Sequence, residues 1–434
     1  VPPESATTVN LTFDEALRSA AGSRLVRQGA YRVVSSAPVT VHQFNPLLFE
    51  LQQDCQHEQY DPGDERLHDG VCYSYTNDAS LLFPASALAP DLDNGDTDVE
   101  FFALSRATFE GKPPDSPWQG SPGFVAITGV GTRKVHVRVE SSAFTQASPA
   151  GSADPLPALA PGGVLERDLM PGDVLQLLSA TSQCDDGNAV LDLPFCDPGE
   201  SFDLTGTHIV ADGPVQVISG HDCSDVPFNR VACDHLEESM TPLATWGNAA
   251  ALAVPSASAG GQYVLRVLSG ADDNQLTFDP PVHEPVTLAR GQMLEFISSD
   301  SVLVRAKDRF LAGQYLIGAN RKLVGDPSLS IAVPIDQYRQ SYNFVSPSTY
   351  TQNIVDVIAL DGDVVTLDGN LVTGFTQIGS SRFRTAKVVL PTAGAHEIHG
   401  TSAQGFAIVL YGLGSYTSYM LPGGLALAPL VIGI

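Results

Sequence analysis

Residues 206–220, GTHIVADGPVQVISG, contain the pattern on which the whole chain is built. Apolar and polar residues alternate on both sides of an Ala-Asp-Gly-Pro cluster, as they do in strands that present one face to a core. The cluster is rich in turn-forming residues, and Pro214 supplies a fixed φ where no ladder donor is required. The stretch predicts two strands joined by a tight turn, which we interpret as a β-hairpin.

The same pattern occurs in three further copies. Residues 29–44 (GAYRVVSSAPVTVHQF) form one clear copy. Residues 304–315 (VRAKDRFLAGQY) align with it without a gap, so that Val304 falls on Val33. Residues 394–411 (GAHEIHGTSAQGFAIVLY) form a looser copy with a longer turn. Copies in gapless register indicate an internal repeat and favour a tandem architecture.

The segments that flank these copies also repeat. Upstream lie pairs of alternating runs joined by a Gly or Asp turn, at residues 124–140, 263–278 and 354–367. Downstream lie Asp-containing loops, each followed by a strand that ends at proline, at residues 77–84, 234–242 and 326–334. Two shorter signals, residues 361–363 (DGD) and 368–369 (DG), predict hairpin turns of the Asp-Gly type.

Composition agrees with a chain of many short strands and turns. The 434 residues include 39 Gly and 31 Pro, and 43% are hydrophobic, which is enough for several cores. We therefore predict an all-β fold, a tandem array of about four β-sandwich-like modules stabilised by disulfides. The predicted modules comprise residues 1–121, 122–255, 256–340 and 341–434.

The formal net charge of −26 limits the classes of partner. A surface of this sign repels phosphates, which excludes nucleic acid and disfavours an anionic membrane. No run of about 20 apolar residues occurs, so the sequence predicts no transmembrane segment. Because the chain starts at Val1 without Met, we interpret it as a processed or excised part of an exported protein whose signal peptide is missing.

Cysteine usage also indicates export. The six cysteines fall into three local pairs: Cys55 with Cys72, Cys184 with Cys196, and Cys223 with Cys233. Each pair encloses a loop rich in Asp, Gly and Pro, and a cross-link stabilises such a loop most clearly. We interpret the pairs as disulfides formed outside the cell, although the sequence alone does not fix the pairing.

The third cysteine pair has an alternative interpretation. Residues 221–223 (HDC) and 233–235 (CDH) together offer two thiols and two imidazoles, which is a zinc ligand set. The thiols are much farther apart in sequence than in common structural zinc sites. The acidic, extracellular character of the chain favours a disulfide, with His221 and His235 as hydrogen-bonding neighbours.

An acidic run provides the candidate metal site. Asp91, Asp93, Asp96 and Asp98 bring four carboxylates together, and Ca²⁺ takes six to eight oxygen ligands. The spacing departs from an EF-hand loop, because Gly95 is fifth instead of sixth. A solvated acidic linker is the alternative. Calcium is the one cofactor that the sequence suggests, and the remaining prediction is that none is needed.

Motifs of the common enzyme classes are absent. The chain contains no G-x-S-x-G elbow, H-E-x-x-H helix, P-loop or dinucleotide fingerprint. We therefore predict a non-catalytic protein and assign no catalytic residue. A hydrolase with an unrecognised carboxylate site stays open as an alternative, since such pairs are defined by their separation in the fold.

One segment resembles a known family. Residues 219–247 (SGHDCSDVPFNRVACDHLEESMTPLATWG) closely resemble the signature of the IgGFc-binding protein N-terminal domain family. Further similar blocks are residues 77–88 (NDASLLFPASAL), 313–318 (GQYLIG), 325–338 (GDPSLSIAVPIDQY), 342–359 (YNFVSPSTYTQNIVDVIA) and 409–424 (VLYGLGSYTSYMLPGG). The resemblance implies a secreted or cell-surface binding module, and the acidic composition favours a bacterial exported member.

These observations predict a cell-surface or extracellular protein for adhesion, which binds an extracellular protein or glycan by surface complementarity. Its ligand-binding residues are not identifiable from the sequence. The alternative from a different class is a structural subunit that binds copies of itself in a surface filament or layer. The apolar segment at residues 425–434 (LALAPLVIGI) motivates this alternative, because such a strand could be donated to a neighbouring copy.

Overall fold

The structure is a computed structural model that describes residues 6–12, 17, 22–45, 77–89, 95–111, 120–182, 184, 195–230, 233–256, 261–318, 325–414 and 417–430. In this part of the chain there is no α-helix. The described helices are short 3-10 helices at Ala85–Ala87, Glu200–Phe202, Leu243–Thr245 and Ile335–Gln337. None of the described helices has the length and hydropathy needed to span a bilayer.

Thirty strands are present in the described ranges. The first thirteen are β1 Arg24–Val26, β2 Val41–Phe44, β3 Ala79–Leu82, β4 Val99–Phe102, β5 Glu110–Gly111, β6 Gly123–Gly129, β7 Val135–Glu140, β8 Val164–Leu169, β9 Val174–Leu178, β10 Phe195–Cys196, β11 His208–Ala211, β12 Val215–Ser224 and β13 Asp234–Met240. The next eight are β14 Ala249–Leu252, β15 Tyr263–Ser269, β16 Asn274–Asp279, β17 Val286–Leu288, β18 Met293–Ser298, β19 Val302–Ala306, β20 Phe310–Leu316 and β21 Ser328–Ile331. The last nine are β22 Ser341–Ser346, β23 Gln352–Leu360, β24 Val365–Leu367, β25 Asn370–Leu371, β26 Thr376–Gln377, β27 Phe383–Val389, β28 Gly394–Gly400, β29 Ala407–Gly414 and β30 Thr417–Pro422.

Six of the sheets pair into three sandwiches. The first sandwich combines the sheets β1-β9-β6-β12-β13 and β4-β11-β7-β8; the second combines β18-β15-β20-β21 and β14-β19-β16-β17; the third combines β26-β27-β23-β29-β30 and β22-β28-β24-β25. Each pair of sheets encloses a shared apolar core. Two small sheets, β2-β3 and β5-β10, complete the described strands. The predicted all-β fold of sandwich-like modules is confirmed.

The three sandwiches share one topology. In each, two strands cross from one sheet to the other: β6 to β7, β15 to β16, and β23 to β24. We call these pairs the leading arches. Later in each repeat a second pair crosses back: β11 to β12, β19 to β20, and β28 to β29. We call these the trailing arches. Each leading arch pairs with the trailing arch of its own sandwich in both sheets.

The hairpin interpretation of the repeated pattern is therefore wrong. The two strands of residues 206–220 are β11 and β12, which belong to different sheets, and the copies at 304–315 and 394–411 behave in the same way. In the copy at residues 29–44 only β2 forms, and residues 31–40 form no strand. Alternation predicted the strands correctly, but the inward side chains of the two strands face each other across a core instead of sharing a ladder.

The Asp-Gly signals separate in the same way. Asp368 and Gly369 have φ of 48° and 75° and join β24 to β25 in a two-residue hairpin, as predicted. Residues 361–363 connect β23 to β24 of a leading arch, so the predicted hairpin there is wrong.

The predicted modules 1–121 and 122–255 are joined through common sheets. Strand β1 pairs with β9, and β4 pairs with β11. The module boundaries themselves stay predictions.

The last strand of each repeat meets those of the other repeats at the centre of the molecule. Strand β3 contacts β13, β13 contacts β21, β21 contacts β30, and β30 contacts β3. We call these four strands the hairpin ring, because each is the second strand of the hairpins β2–β3, β12–β13, β20–β21 and β29–β30. The ring places strands that end their sheets against one another, which removes free edges from solvent.

The first and second sandwiches are also joined by a buried ion-pair network. Arg266 of β15 donates to Asp203 at 2.7 Å and to Glu295 at 2.8 Å, and Arg106 donates to Glu295 at 2.9 Å. Both guanidinium groups lie over the ring of Tyr315, at 5.2 and 5.8 Å. Burial alone raises the pKa of Glu295, but Arg106 and Arg266 outweigh it and lower the pKa to about 2. The network therefore holds charged groups of both sandwiches in one cluster.

Candidate functional site

The connections of the four ring hairpins meet at one end of the ring. Gly318 donates its N–H to Val226 at 2.9 Å, which links the third connection to the second. Gly325 donates to Gly414 at 2.8 Å, which links the third connection to the fourth. The side-chain amide of Asn77, at the end of the first connection, donates to the carbonyl of Ser418 at 2.6 Å. We call this convergence the loop junction.

Asp78 ties the junction together. Its Oδ2 accepts the backbone N–H groups of Glu237 and Leu329, each at 3.1 Å. Its Oδ1 accepts those of Ala79 at 2.9 Å and Met420 at 3.2 Å. One fully buried carboxylate therefore binds backbone groups of all four ring strands. Burial raises the pKa of Asp78, and these N–H groups oppose the rise by stabilising the ionised form.

Further carboxyl groups lie beside Asp78 without solvent. Asp234, Glu238 and Asp326 are all buried. Burial raises the pKa of Asp234, and the nearby carboxylates of Asp326 and Asp78 raise it further. Burial also raises the pKa of Glu238, with Asp78 contributing. Like charges in a dry site cannot all be ionised at once, so the junction binds protons as it folds.

A second polar group connects the first hairpin to the second. The carboxylate of Glu237 accepts the side-chain amides of Gln43 at 3.1 Å and Asn45 at 3.2 Å. The imidazole of His235 lies 3.6 Å from the same carboxylate. Burial lowers the pKa of His235, but Glu237 outweighs this effect and raises it. These contacts fix β2 against β13.

The cysteines of the second connection form a disulfide. Cys223 and Cys233 are bonded at 1.99 Å, so both sulfur atoms are engaged and offer no thiolate to zinc. The buried His221 accepts the N–H of Cys223 at Nδ1, 3.1 Å away, and donates from Nε2 to the carbonyl of Ala107 at 3.0 Å. Burial, helped by Arg106, lowers the pKa of His221 to about 3. This neutral imidazole anchors the loop to the first sandwich.

The second disulfide lies at the same end of the first sandwich. Cys184 is bonded to Cys196 of β10. Strand β9 ends at Leu178, which pairs with Phe124, and the neighbouring Gly123 pairs with His221. Both cross-linked loops therefore leave the first sandwich from the edge that also carries the loop junction. Cys55 and Cys72 lie outside the described residues.

The predicted calcium ligands are only partly described. Asp96 and Asp98 are exposed, whereas Asp91 and Asp93 lie outside the described residues. Within the described ranges no group of three or more His, Cys, Asp or Glu side chains has a metal-binding arrangement. Calcium at this loop stays a prediction.

A described cavity bears on the hydrolase alternative. It has a volume of about 410 Å³ and lies in the third sandwich, beside Asp363, Phe375 and Arg384. It presents one carboxylate, whereas glycoside hydrolysis uses two on opposite sides of the scissile bond. The junction carboxylates are closer together but are buried. Neither arrangement provides an open pair of carboxylates.

The junction residues were not identified as a site from the sequence. Their signal was present, since Asp78, Asp234 and Asp326 begin the repeated Asp-containing segments. Acidic side chains in polar loops are usually solvated, and nothing local showed that these three would be buried together. The tyrosines of the same region, including Tyr350 and Tyr419, pack in the core of the third sandwich.

The repeat, the ring and its cross-linked loops can be compared with known proteins. A family model described as IgGFc binding protein matches residues 78–412, which run from the first ring strand to the last trailing arch. The chain belongs to the IgGFc-binding protein family. The family match includes the complete second sandwich and both described disulfides, so the features that form the junction are inside it.

A curated relative agrees with this membership in the IgGFc-binding protein family. The human IgGFc-binding protein is 26% identical over 216 residues, which is 50% of this chain and 3% of that protein. The chain thus spans a small fraction of its relative's length. Among solved structures, an anti-sigma factor domain-containing protein from Clostridium clariflavum aligns with 77% of this chain and 99% of its own, at 8% identity and a TM-score of 0.14. That TM-score carries no argument about fold.

Proposed function

We propose that this chain is an extracellular, non-catalytic binding module that recognises a protein partner with the loops around the junction. One observation carries the proposal: connections from four repeats meet at one end of a rigid ring. Loops held by a rigid scaffold are the usual carriers of recognition. The buried carboxylate of Asp78 and the disulfide of the second connection supply that rigidity here.

Compartment and partner class follow from charge and covalent chemistry. Disulfides persist in oxidising environments, which supports secretion or display on a cell surface. The net charge of −26 supports a partner with basic groups and opposes nucleic acid. Binding would proceed by complementarity between this face and a folded protein, in an adhesive role. A glycan partner is the alternative that an experiment must separate.

The test uses the immunoglobulin G Fc fragment as the first probe, because the human relative is named for it. Binding of the whole chain to immobilised Fc is measured by biolayer interferometry, and a glycan array is measured in parallel. Arg230 lies in the cross-linked second connection, and Arg133 lies in the turn between β6 and β7 at the opposite end of the sandwich. The variants R230E and R133E therefore make the same charge change at two ends.

We expect R230E to weaken Fc binding at least about tenfold and R133E to leave it unchanged. Weakening by R133E alone would place the site at the other end of the sandwich. Glycan binding without Fc binding would replace the protein partner by a carbohydrate. No binding of either probe would remove the support for recognition by this face.

A further inference from the structure

The first repeat has a trailing arch without a leading arch to pair with it. In each complete sandwich the trailing arch lies beside the leading arch in both sheets. Residues 29–44 are the copy of the trailing arch in the first repeat, and they continue into the ring hairpin β2–β3. In the described part of the chain, β2 pairs only with β3, and residues 31–40 pair with no strand.

Side chains that form the core elsewhere are exposed here. The gapless alignment places Tyr31, Val33 and Val39 on Val302, Val304 and Phe310. In the second sandwich these three equivalents are 0, 0 and 2% exposed. In the first repeat Tyr31, Val33 and Val39 are 57, 67 and 51% exposed.

The partners that bury the equivalent residues identify what is missing. Val304 pairs with Phe278 of β16, and Phe310 pairs with Ser269 of β15. Both partners belong to the leading arch of the second sandwich. The uncovered face in the first repeat therefore has the shape and the spacing to receive two strands of the same kind.

A neighbouring segment has the same character. Val9 and Leu11 alternate with polar residues and are exposed. Their segment is held to the trailing arch by Tyr31, whose hydroxyl donates to the carbonyl of Thr12 at 2.8 Å. Four apolar residues and Tyr31 thus form one exposed patch of the type that marks an interaction site.

We propose that residues 29–41 are the receiving half of an incomplete β-sandwich, which is completed by a β-arch from polypeptide outside residues 1–434. The arch consists of two strands with alternating apolar residues joined by a Gly or Asp turn, as in residues 123–140, 263–279 and 352–367 of this chain. Its first strand pairs with the free edge of β2, and its second strand pairs with residues 30–34. Its inward side chains bury Tyr31, Val33 and Val39.

The experiment measures hydrogen–deuterium exchange by mass spectrometry on the whole chain and on three fusions. Each fusion carries one of the three leading arches of this chain at its N-terminus through a Gly-Ser linker. The matched controls carry the same arches with their inward apolar residues changed to Asn. The light-scattering mass of the unfused chain, and of its V33N/V39N variant, is measured alongside.

In the unfused chain we expect fast exchange across residues 30–40. At least one fusion should slow this exchange about tenfold or more and raise the Tm, while its Asn control should not. Three outcomes overturn the proposal. The first is protection of residues 30–40 in the unfused chain, which would show that its own residues cover the face. The second is a lack of protection in all three fusions, and the third is a dimer of the unfused chain that V33N/V39N dissociates.

This experiment is independent of the Fc measurement. The receiving half lies on the first repeat away from Arg230, and its readout is exchange instead of partner binding. Either proposal can therefore fail while the other stands.

Discussion

Asp78 is the residue whose single side chain contacts the most repeats. Its carboxylate accepts backbone N–H groups from β3, β13, β21 and β30. An anion suits this position because every neighbour that it contacts is a donor. Sequence local to Asp78 gives no hint of this role, since the donors lie more than 150 residues away in the chain.

We expect Asp78→Asn to destabilise the protein by about 2–4 kcal/mol. The amide keeps one acceptor but turns an NH₂ group toward backbone N–H donors in a buried site. Urea unfolding at neutral pH measures the change. Asp273→Asn is the matched control, because Asp273 is an exposed turn residue with φ of 50°, which Asn tolerates. Equal losses in the two variants would contradict the role of Asp78.

His221 makes the stability of the chain sensitive to acid. Its pKa is about 3 in the folded protein, whereas the unfolded chain takes up the proton near pH 6.5. Its contribution to stability is therefore complete above about pH 6.5 and is lost as pH falls toward 3. The raised pKa values of Asp234 and Glu238 act in the opposite direction, because their contribution is lost as pH rises.

The His221 contribution is isolated by comparing the chain with His221→Gln. Gln retains one donor and one acceptor, so the variant should lose stability less steeply than the parent between pH 7 and pH 4.5. Urea unfolding at several pH values measures both slopes. The exposed His399→Gln is the control and should keep the parental slope. Identical slopes for the parent and H221Q would show that His221 does not carry the effect.

At the scale of elements, the disulfide of the second ring connection holds a short polar loop in place. Cys223 and Cys233 are ten positions apart and close the connection between β12 and β13. We expect the double variant C223A/C233A to lose about 2–3 kcal/mol of unfolding free energy. It should also lose the partner binding assigned to the loop junction. Chemical denaturation measures the first effect, and reduced parent protein serves as the control, which should behave as the variant does.

The C-terminal segment is an element for which the sequence left two interpretations open. Its described part packs within its own chain, with Leu425 and Leu427 buried in the core of the third sandwich. Ala428 donates to the side chain of Gln337 at 3.0 Å, and Leu430 donates to Ala244 at 2.8 Å. A strand that is used in this way is not free for donation to a neighbouring copy.

We expect truncation after Gly424 to lower the Tm of the monomer by several degrees, because two buried leucines and these hydrogen bonds are lost. Calorimetry measures the change. A variant that ends at Leu430 retains the described contacts and is the control. A truncated monomer with parental Tm, combined with loss of polymers, would instead support the filament alternative.

At the scale of the molecule, the sandwiches share cores and charges. Strands β15 and β20 are buried along their whole length, because one face lies in the second sandwich and the other packs against the first. The Arg266 network crosses the same boundary. The hairpin ring adds contacts with the third sandwich.

We therefore expect the first and second sandwiches to unfold together in one calorimetric transition. Arg266→Leu should lower the Tm and separate their unfolding, because it leaves Asp203 and Glu295 buried without a counter-charge. Arg305→Leu removes an exposed guanidinium from β19 and is the control. Two transitions in the parent chain would show that the boundary does not couple the sandwiches.

The sequence determined the strands, the repeat and the family, because these depend on local alternation, on turn residues and on similarity between segments. The Asp-Gly hairpin at Asp368 was also predictable, since a two-residue turn with positive φ leaves few alternatives. The pairing of strands was not, because a period of two residues assigns a face and not a partner. The arches were consequently mistaken for hairpins.

Only the tertiary structure decided which polar residues are buried together. Arg266 meets Asp203 across 63 positions, and Asp78 meets Met420 across 342. The same residue types in the same local contexts are usually solvated, so their burial is set by the packing of repeats that are distant in sequence. The exposed core positions of the first repeat became visible for the same reason, since the sequence gives Val33 and Val304 the same pattern and the fold covers only one of them.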